Sequence, residues 1–181
     1  VWEGCVYIVG RLKEPGVVQS SGGIHDLFFG YDAAEKSRLL FIEKILKDAG
    51  IETTLSDNIR MIIWRKFIFI STTASLTSDY NVGFRDVLTT EERKTMTLAF
   101  MREVAELAAA EGVVFKTDII ETTIRHIEKL PFGTTSSMHS DFMAGRQTGL
   151  ETLTGIILKL GEKYSIETPV CKNIYQALKN K

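Results

Sequence analysis

Residues 57–78 read DNIRMIIWRKFIFISTTASLTS, and they predict a long helix with apolar side chains at helical spacing. Ser56 or Asp57 can begin this helix, because both residue types are favoured caps at a helix N-terminus. Its most apolar part, residues 59–70, carries three basic residues and is too short to span a bilayer. We therefore expect a helix packed inside a globular domain, and no membrane association.

Six further segments to either side have the same helical character. Asp32 can cap a helix over residues 33–48, and Thr89 with Glu92 forms a capping box for residues 90–111. Met96, Phe100, Val104 and Leu107 would be the buried stripe of that second helix. The remaining helices are predicted from Thr117 to about Lys129, from Ser136 or Ser137 to about Gly145, over 150–160, and from Thr168-Pro169 to the end.

The first 30 residues differ from this pattern. Residues 6–9, 17–18 and 27–29 are β-branched or aromatic runs that predict three short strands, and we expect none after Gly30. Glu14-Pro15-Gly16 predicts a type II turn between the first two. Three short strands within 30 residues have too little surface to be stable alone, so they indicate the edge of a larger sheet. The predicted fold is mainly α, with a β fragment over 1–31 and a helical domain over 32–181.

Composition excludes several functional classes. The formal net charge is −1 and 44% of residues are hydrophobic, which favours a globular protein and argues against nucleic-acid binding. Two distant cysteines and three scattered histidines predict neither a disulfide framework nor a metal site. We expect a cytoplasmic protein. The sequence begins with Val1 rather than Met and shows no signal peptide, so we expect that Val1 is not the natural beginning of the protein.

Lys66 is the first candidate functional residue. Its helical neighbours at three and four positions are all apolar: Ile62, Ile63, Phe69 and Ile70. Such a lysine must reach water, find an anionic partner or lower its pKa, and lysines of lowered pKa act as proton donors. The alternative is a lysine at the edge of a core helix with its ammonium group in water.

The segment SSMHSD, residues 136–141, is the second candidate. Ser137 and Asp141 share a helix face, and the hydroxyls of the segment with nearby backbone N–H groups could bind a carboxylate. The alternative is ordinary helix capping. A serine hydrolase fits poorly, because no GxSxG is present, and neither GxGxxG nor a P-loop offers a nucleotide-phosphate site.

Several of these strings together resemble one known family. Ser136-Ser137-Met138-x-x-Asp141 followed by Gly145-Arg146-x-Thr148 resembles the signature of the ketopantoate reductases. Trp64-Arg65-Lys66 followed by Leu76-Thr77 is similar to the helix that carries that family's catalytic lysine, and the opening strands resemble the end of its Rossmann domain. The resemblance covers nearly the whole chain in the family's order.

The resemblance implies a fold and an activity. The helical part would be a C-terminal domain of the 6-phosphogluconate dehydrogenase type, behind the last strands of a Rossmann domain. The whole protein would reduce 2-dehydropantoate with NADPH, which is bound mainly by an N-terminal domain outside this chain, and this fragment alone would be inactive. Lys66 would protonate the carbonyl oxygen, Ser137 with Ser136 would hold the carboxylate, and Asn81 would contact substrate. The helical domain could form a homodimer.

The chain departs from the family at four positions. Ile70 and Ala74 occupy positions where the family often has Asn. Gly149 occupies the position of an acidic residue, although Glu151 follows two residues later. Ser140 replaces the Gln of the signature. These differences leave three alternatives open. The protein could reduce another 2-keto acid, it could have lost catalysis and serve mainly dimerisation, or it could be a helical scaffold unrelated to reductases.

Overall fold

The computed structural model describes residues 3–30 and 36–181, and the chain forms two compact units, Val1–Ile63 and Trp64–Lys181. We call them the N-terminal and C-terminal units. The predicted cap Asp32 and the predicted domain boundary at residues 31/32 lie outside the described residues. The division into 1–31 and 32–181 therefore stays a prediction.

The N-terminal unit is built on a three-stranded sheet with the order β1-β2-β3. Strands β1 (Glu3–Glu14) and β2 (Val17–Gly30) form an antiparallel hairpin, and β3 (Thr53–Ser56) pairs with β2 in parallel. Helix α1 (Lys36–Asp48) connects β2 to β3. The hairpin turn is where the sequence predicts it, and Gly16 has the φ of +82° that such a turn requires.

Two predictions for this unit were wrong. The second and third predicted strands belong to one strand, because pairing with β1 continues to Ser20 and Ser21 and, after a register shift between Ile8 and Val9, resumes at His25. A strand also follows Gly30, since Leu27 of β2 pairs with Thr53 of β3. Four residues without apolar alternation give no strand signal of their own. The stability of β3 comes from its pairing with a strand distant in sequence.

The C-terminal unit is helical, as predicted. Helix α2 (Ile59–Tyr80) begins in the N-terminal unit and lies mostly in this one. The other elements are a 3-10 turn (Arg85–Leu88), α3 (Glu91–Ala110), α4 (Ile119–Glu128), α5 (Ser137–Met143), a π-helical turn (Glu151–Gly155), α6 (Ile156–Tyr164) and α7 (Pro169–Lys179). The mainly α fold predicted from the helical periodicity is thus confirmed.

Helix α3 contributes much of the core of this unit. Phe100, Met101, Val104 and Leu107 are fully buried, which confirms the predicted stripe over three of its four positions, and Met96 is partly buried beside them. They share one cluster with residues of α2, α4, α6 and α7: Ile68, Leu76, Ile127, Ile157 and Leu178. Each fully buried side chain of this size contributes about 1.5–3 kcal/mol.

Two predicted N-caps are shifted by one residue. Thr90, and not Thr89, caps α3 by accepting a hydrogen bond from the N–H of Arg93, while Thr89 donates to a carbonyl of the preceding 3-10 turn. Asp118, and not Thr117, caps α4 and accepts from two backbone N–H groups at 2.9 and 3.0 Å. In both cases two adjacent residues have side chains that can cap a helix, and the path of the preceding loop determines which of the two is the N-cap.

The cap of α7 is supplied from another helix. Thr168 precedes Pro169 as predicted but makes no capping hydrogen bond. Instead the carboxylate of Glu103 on α3 accepts from the N–H groups of Val170 at 2.8 Å and Cys171 at 2.9 Å. A charged acceptor at a helix N-terminus also complements the helix dipole, so Glu103 fixes α7 against α3.

Within the described ranges, no helix combines the length and the apolar character needed to cross a membrane. The same residues contain no group of three or more His, Cys, Asp or Glu side chains placed to hold a metal ion.

Candidate functional site

The second half of α2 is rich in hydroxyl groups and is nevertheless buried. Ser71, Thr73, Thr77 and Ser78 donate to the carbonyl four residues earlier at 2.6–2.7 Å. Because each of these hydroxyls has a partner within the helix, its burial costs little. The hydroxyl side chains of α2 can therefore lie within the core.

Lys66 lies on the first half of the same helix, with its side chain partly buried. Thr77 follows eleven residues later, which corresponds to about 16 Å along the helix axis and a rotation of only about 20° around it. Lys66 and Thr77 thus lie on one face of α2, about three turns apart.

Ser136 is placed against the far end of this face. Its hydroxyl is 3.4 Å from that of Thr77, and it caps α5 by accepting from the N–H of His139 at 3.0 Å. Ser136 is only 4% exposed, whereas Ser137, the first residue of α5, is exposed. Ser136 therefore has a structural role in holding α5 on α2, and Ser137 is the hydroxyl that a ligand can reach.

The loop before α5 runs beside α2. The N–H of Phe84 donates to the carbonyl of Thr134 at 2.8 Å, and the Phe84 ring packs on that of Phe69 with 5.9 Å between centroids. Phe69 is one turn after Lys66 on α2. The segment 134–136 is therefore held near the part of α2 that follows Lys66, through Phe84 at one end and through Thr77 at the other.

Asn81 directly follows α2 and has a left-handed backbone with φ of +54°. Its side-chain Oδ1 is 2.9 Å from Nε2 of His139 on α5. Together with the contact between Thr77 and Ser136, this hydrogen bond brings Asn81 and Ser137 to the same end of α2. Of the four predicted site residues, Ser136, Ser137 and Asn81 therefore lie together at the C-terminal end of α2. Lys66 lies about three turns before Thr77 on α2.

Sequence analysis missed two residues of this cluster. The ammonium of Lys181 donates to the carbonyls of Ser78, at 3.1 Å, and Asp79, and it pairs with the Asp79 carboxylate at 3.2 Å. It neutralises the negative end of the α2 dipole. His139 is the second missed residue, and burial together with the charge of Lys181 lowers its pKa below the ordinary value. For Lys181 the local sequence gives no signal, because its partners are about a hundred residues away.

The second half of the recognised motif is structural. Arg146 donates to the carboxylate of Asp141 from Nε at 2.9 Å and Nη2 at 2.8 Å, and its backbone N–H donates to the Asp141 carbonyl. Gly145 supplies the positive φ, +61°, of the turn between them. These contacts close the C-terminal end of α5 and so hold Ser137 in place.

Glu151, the acidic residue near Gly149, is not part of the cluster that these contacts define. It begins the π-helical turn, and its Oε1 accepts from the hydroxyl of Tyr175 on α7 at 2.6 Å. Gly155 leaves room for this carboxylate, because an added Cβ would come within 2.7 Å of Oε2. Glu151 therefore ties the π-helical turn to α7.

The arrangement offers hydroxyl and amide donors at one end and an amine at the other, on one helix face. Such a set suits a small ligand with an anionic group and a polar group that can take up a proton.

Comparison with known proteins identifies relatives of this chain. Residues 58–181 match the family model described as Ketopantoate reductase PanE/ApbA C terminal. An uncharacterized oxidoreductase of Bacillus subtilis is 23% identical over 176 residues, which are 97% of this chain and 58% of that protein. A 2-dehydropantoate 2-reductase of Vibrio cholerae is 25% identical over 143 residues, 79% of this chain and 48% of that protein.

Solved structures agree with the fold. The dimeric ketopantoate reductase from Staphylococcus aureus superposes with a TM-score of 0.85 at 21% identity, covering 99% of this chain and 61% of that one. The chain thus spans about half to three-fifths of the length of the relatives it matches.

Proposed function

This chain belongs to the ketopantoate reductase C-terminal family, and from that premise we propose that it is the substrate-binding portion of an NADPH-dependent 2-keto-acid reductase that converts ketopantoate to pantoate. The family is one of oxidoreductases, and the substrate, the cofactor and the residue roles are parts of the proposal.

The observation that carries the proposal is the hydrogen-bonding distance between Thr77 and Ser136. This contact holds the Ser136-Ser137 segment against α2, on the helix face that also carries Lys66. A hydroxyl segment at the start of α5 and a lysine of α2, distant in the sequence, thus lie along the same face of α2, as a site for a keto acid requires.

In this proposal Lys66 protonates the carbonyl oxygen of the keto acid as that carbonyl is reduced. The partial burial of Lys66 among apolar neighbours supports this role, because an ammonium interacts more strongly with a developing alkoxide where little water is present. The long side chain must extend along α2 toward Ser137 for both groups to contact one small substrate.

The carboxylate of the substrate is proposed to bind Ser137 and Asn81. Both side chains are exposed. The capping of α5 fixes the position of Ser137, and a hydrogen bond with His139 fixes that of Asn81. Hydrogen bonds from neutral donors to a carboxylate contribute about 1.5–3 kcal/mol each.

The cofactor is proposed to bind mainly outside this chain. The sequence has no glycine-rich phosphate loop, so its own residues do not fit the binding of a dinucleotide. The sheet β1–β3 is proposed to be the end of a Rossmann domain that carries the cofactor, with the nicotinamide supplying the hydride when bound.

A cytoplasmic location and a homodimer through the helical domain belong to the same proposal. The dimeric state of the Staphylococcus aureus relative supports the latter.

Oxidation of NADPH by the full-length protein, measured against a panel of 2-keto acids that includes ketopantoate, tests the proposal. Loss of a general acid typically costs about 100-fold or more in rate, so Lys66→Ala should lower kcat by at least that factor. Ser137→Ala should mainly raise KM.

The matched control is Lys159→Ala, which removes an exposed lysine of α6 and should leave turnover unchanged. Full turnover in Lys66→Ala would contradict the role of Lys66. NADPH binding without turnover of any keto acid would instead favour a family member that has lost catalysis and serves dimerisation, and turnover of another keto acid alone would replace ketopantoate as the substrate.

A further inference from the structure

His139 lies behind the two proposed carboxylate ligands. It is the third residue of α5, two residues after Ser137, and its side chain is partly buried. Its backbone N–H donates to Ser136 at 3.0 Å, and its ring Nε2 is 2.9 Å from Oδ1 of Asn81. One residue thus contacts both the cap of α5 and the amide of Asn81.

Hydrogen-bond accounting selects the protonation state of this ring. Nδ1 is buried and has no hydrogen-bond partner among the described residues. A proton on Nδ1 would be a buried donor without an acceptor, which costs more than a lone pair left without a donor. Burial and the nearby Lys181 also lower the pKa of His139, so the ring is neutral near pH 7. The neutral ring therefore carries its proton on Nε2.

This tautomer fixes the orientation of the Asn81 amide. With the proton on Nε2, His139 is the donor and Oδ1 of Asn81 is the acceptor. The two N–H donors on Nδ2 are then on the side of the amide away from the ring. The reversed amide would need a proton on Nδ1, which the burial of that atom disfavours.

The backbone of Asn81 is also held, so the amide has a defined position. Its φ of +54° places it in a tight turn that the N–H of Val82 closes by donating to Thr77 at 3.2 Å. Lys181 binds the carbonyls of Ser78 and Asp79 just before this turn. The direction in which Nδ2 points therefore depends on the turn and on His139.

We infer that His139 is a positioning residue that holds the N–H donors of Asn81 toward the substrate carboxylate, beside Ser137, and so sets the affinity of the site for 2-keto acids. The inference rests on the proposed function. His139 is not one of the residues that define the recognised motif, so the inference concerns this chain's own residue.

Two variants separate positioning from general stability. His139→Gln keeps an amide N–H that can reach Oδ1 of Asn81, whereas His139→Leu keeps the bulk and removes the donor. In the full-length protein, His139→Leu should raise KM for the keto acid by about tenfold or more and leave kcat nearly unchanged, and His139→Gln should restore KM. Asn81→Ala should raise KM similarly, and adding His139→Leu to it should have little further effect.

An NMR measurement distinguishes failure of this inference from failure of the proposed function. Ring nitrogen shifts near pH 7 should show the proton on Nε2, and added ketopantoate should shift the side-chain amide signals of Asn81 in the wild type but not in His139→Leu. Turnover with an unchanged KM in His139→Leu, or a proton on Nδ1, would overturn the inference and leave the reductase intact. Ketopantoate shifts without turnover would support the inference and reject the chemistry. No shifts and no turnover would reject both.

Discussion

The hydroxyl oxygens of Ser75 and Thr154 lie 2.7 Å apart, and both residues are fully buried. Ser75 belongs to α2 and Thr154 to the π-helical turn, so this hydrogen bond links the helix that carries Lys66 to the segment that follows the recognised motif. Neither hydroxyl can turn to water, and each satisfies the other.

We therefore predict energetic coupling between these two residues. Ser75→Ala and Thr154→Val should each lower the free energy of unfolding by about 1–2 kcal/mol, since each leaves a buried hydroxyl unpaired. The double variant should lose less than the sum, with a coupling energy of about 1 kcal/mol. Urea unfolding of the four proteins measures the cycle, and strictly additive losses would rule the coupling out.

Thr72, on the same helix, should behave in the opposite way. Its hydroxyl is buried and has no partner in the described part of the chain. Thr72→Val preserves the shape and removes the unpaired group, so the free energy of unfolding should stay constant or rise by up to about 1 kcal/mol. The control is Thr97→Val in α3, whose hydroxyl donates to the carbonyl of Val87 at 3.0 Å and whose loss should destabilise. A marked destabilisation in Thr72→Val would contradict the assignment.

Glu103 should be the most important carboxylate for the docking of α7. Glu103→Ala leaves the N–H groups of Val170 and Cys171 without their acceptor and should cost about 1–3 kcal/mol of unfolding free energy. Glu106→Ala, one turn later on the exposed face of α3, should change it by less than about 0.5 kcal/mol. Equal effects of the two substitutions in chemical denaturation would show that the capping contributes little.

His126 makes stability depend on pH. Its ring contacts that of Phe69 edge-on, and burial, followed by the charges of Lys129 and Arg65, lowers its pKa in the folded state. The unfolded chain then takes up the proton first as the pH falls, so this residue lowers stability below about pH 6.5. The free energy of unfolding should decrease between about pH 7.5 and about pH 5.5, and less so in His126→Phe. Parallel pH profiles of the two proteins would disprove this contribution.

The features that the sequence predicted well are local ones. The stripe of α3 repeats within a few turns, so Phe100, Val104 and Leu107 could be assigned to the core from their spacing alone. Ser136 could be recognised as a cap for the same reason, since it bonds a backbone group three residues away. The resemblance selected Ser136, Ser137 and Asn81, which lie near one another in the structure, and their role in substrate binding stays a prediction.

The features that the sequence did not predict depend on distant partners. Strand β3 exists because Thr53 pairs with Leu27, and α7 is capped by Glu103 from α3 although Thr168-Pro169 stands at its start. Lys181 binds the end of α2, although the two are about a hundred residues apart in the sequence. The π-helical turn was predicted as part of an ordinary helix, because its spacing differs from that of an α-helix by only one residue.

That one residue has a consequence for how this part of the chain can change. A π-helical turn holds one more residue than an α-helical turn, so deleting a single residue within 151–155 would let the segment continue as a regular α-helix. Because the π-helical turn fits its extra residue into about one turn of helix, the residues on either side of the deletion would keep nearly their present orientation, and only the residues within the turn would change position. Chains that differ by one residue in length at this turn would therefore hold the recognised motif and α6 in nearly the same relative orientation, with the difference confined to the turn itself.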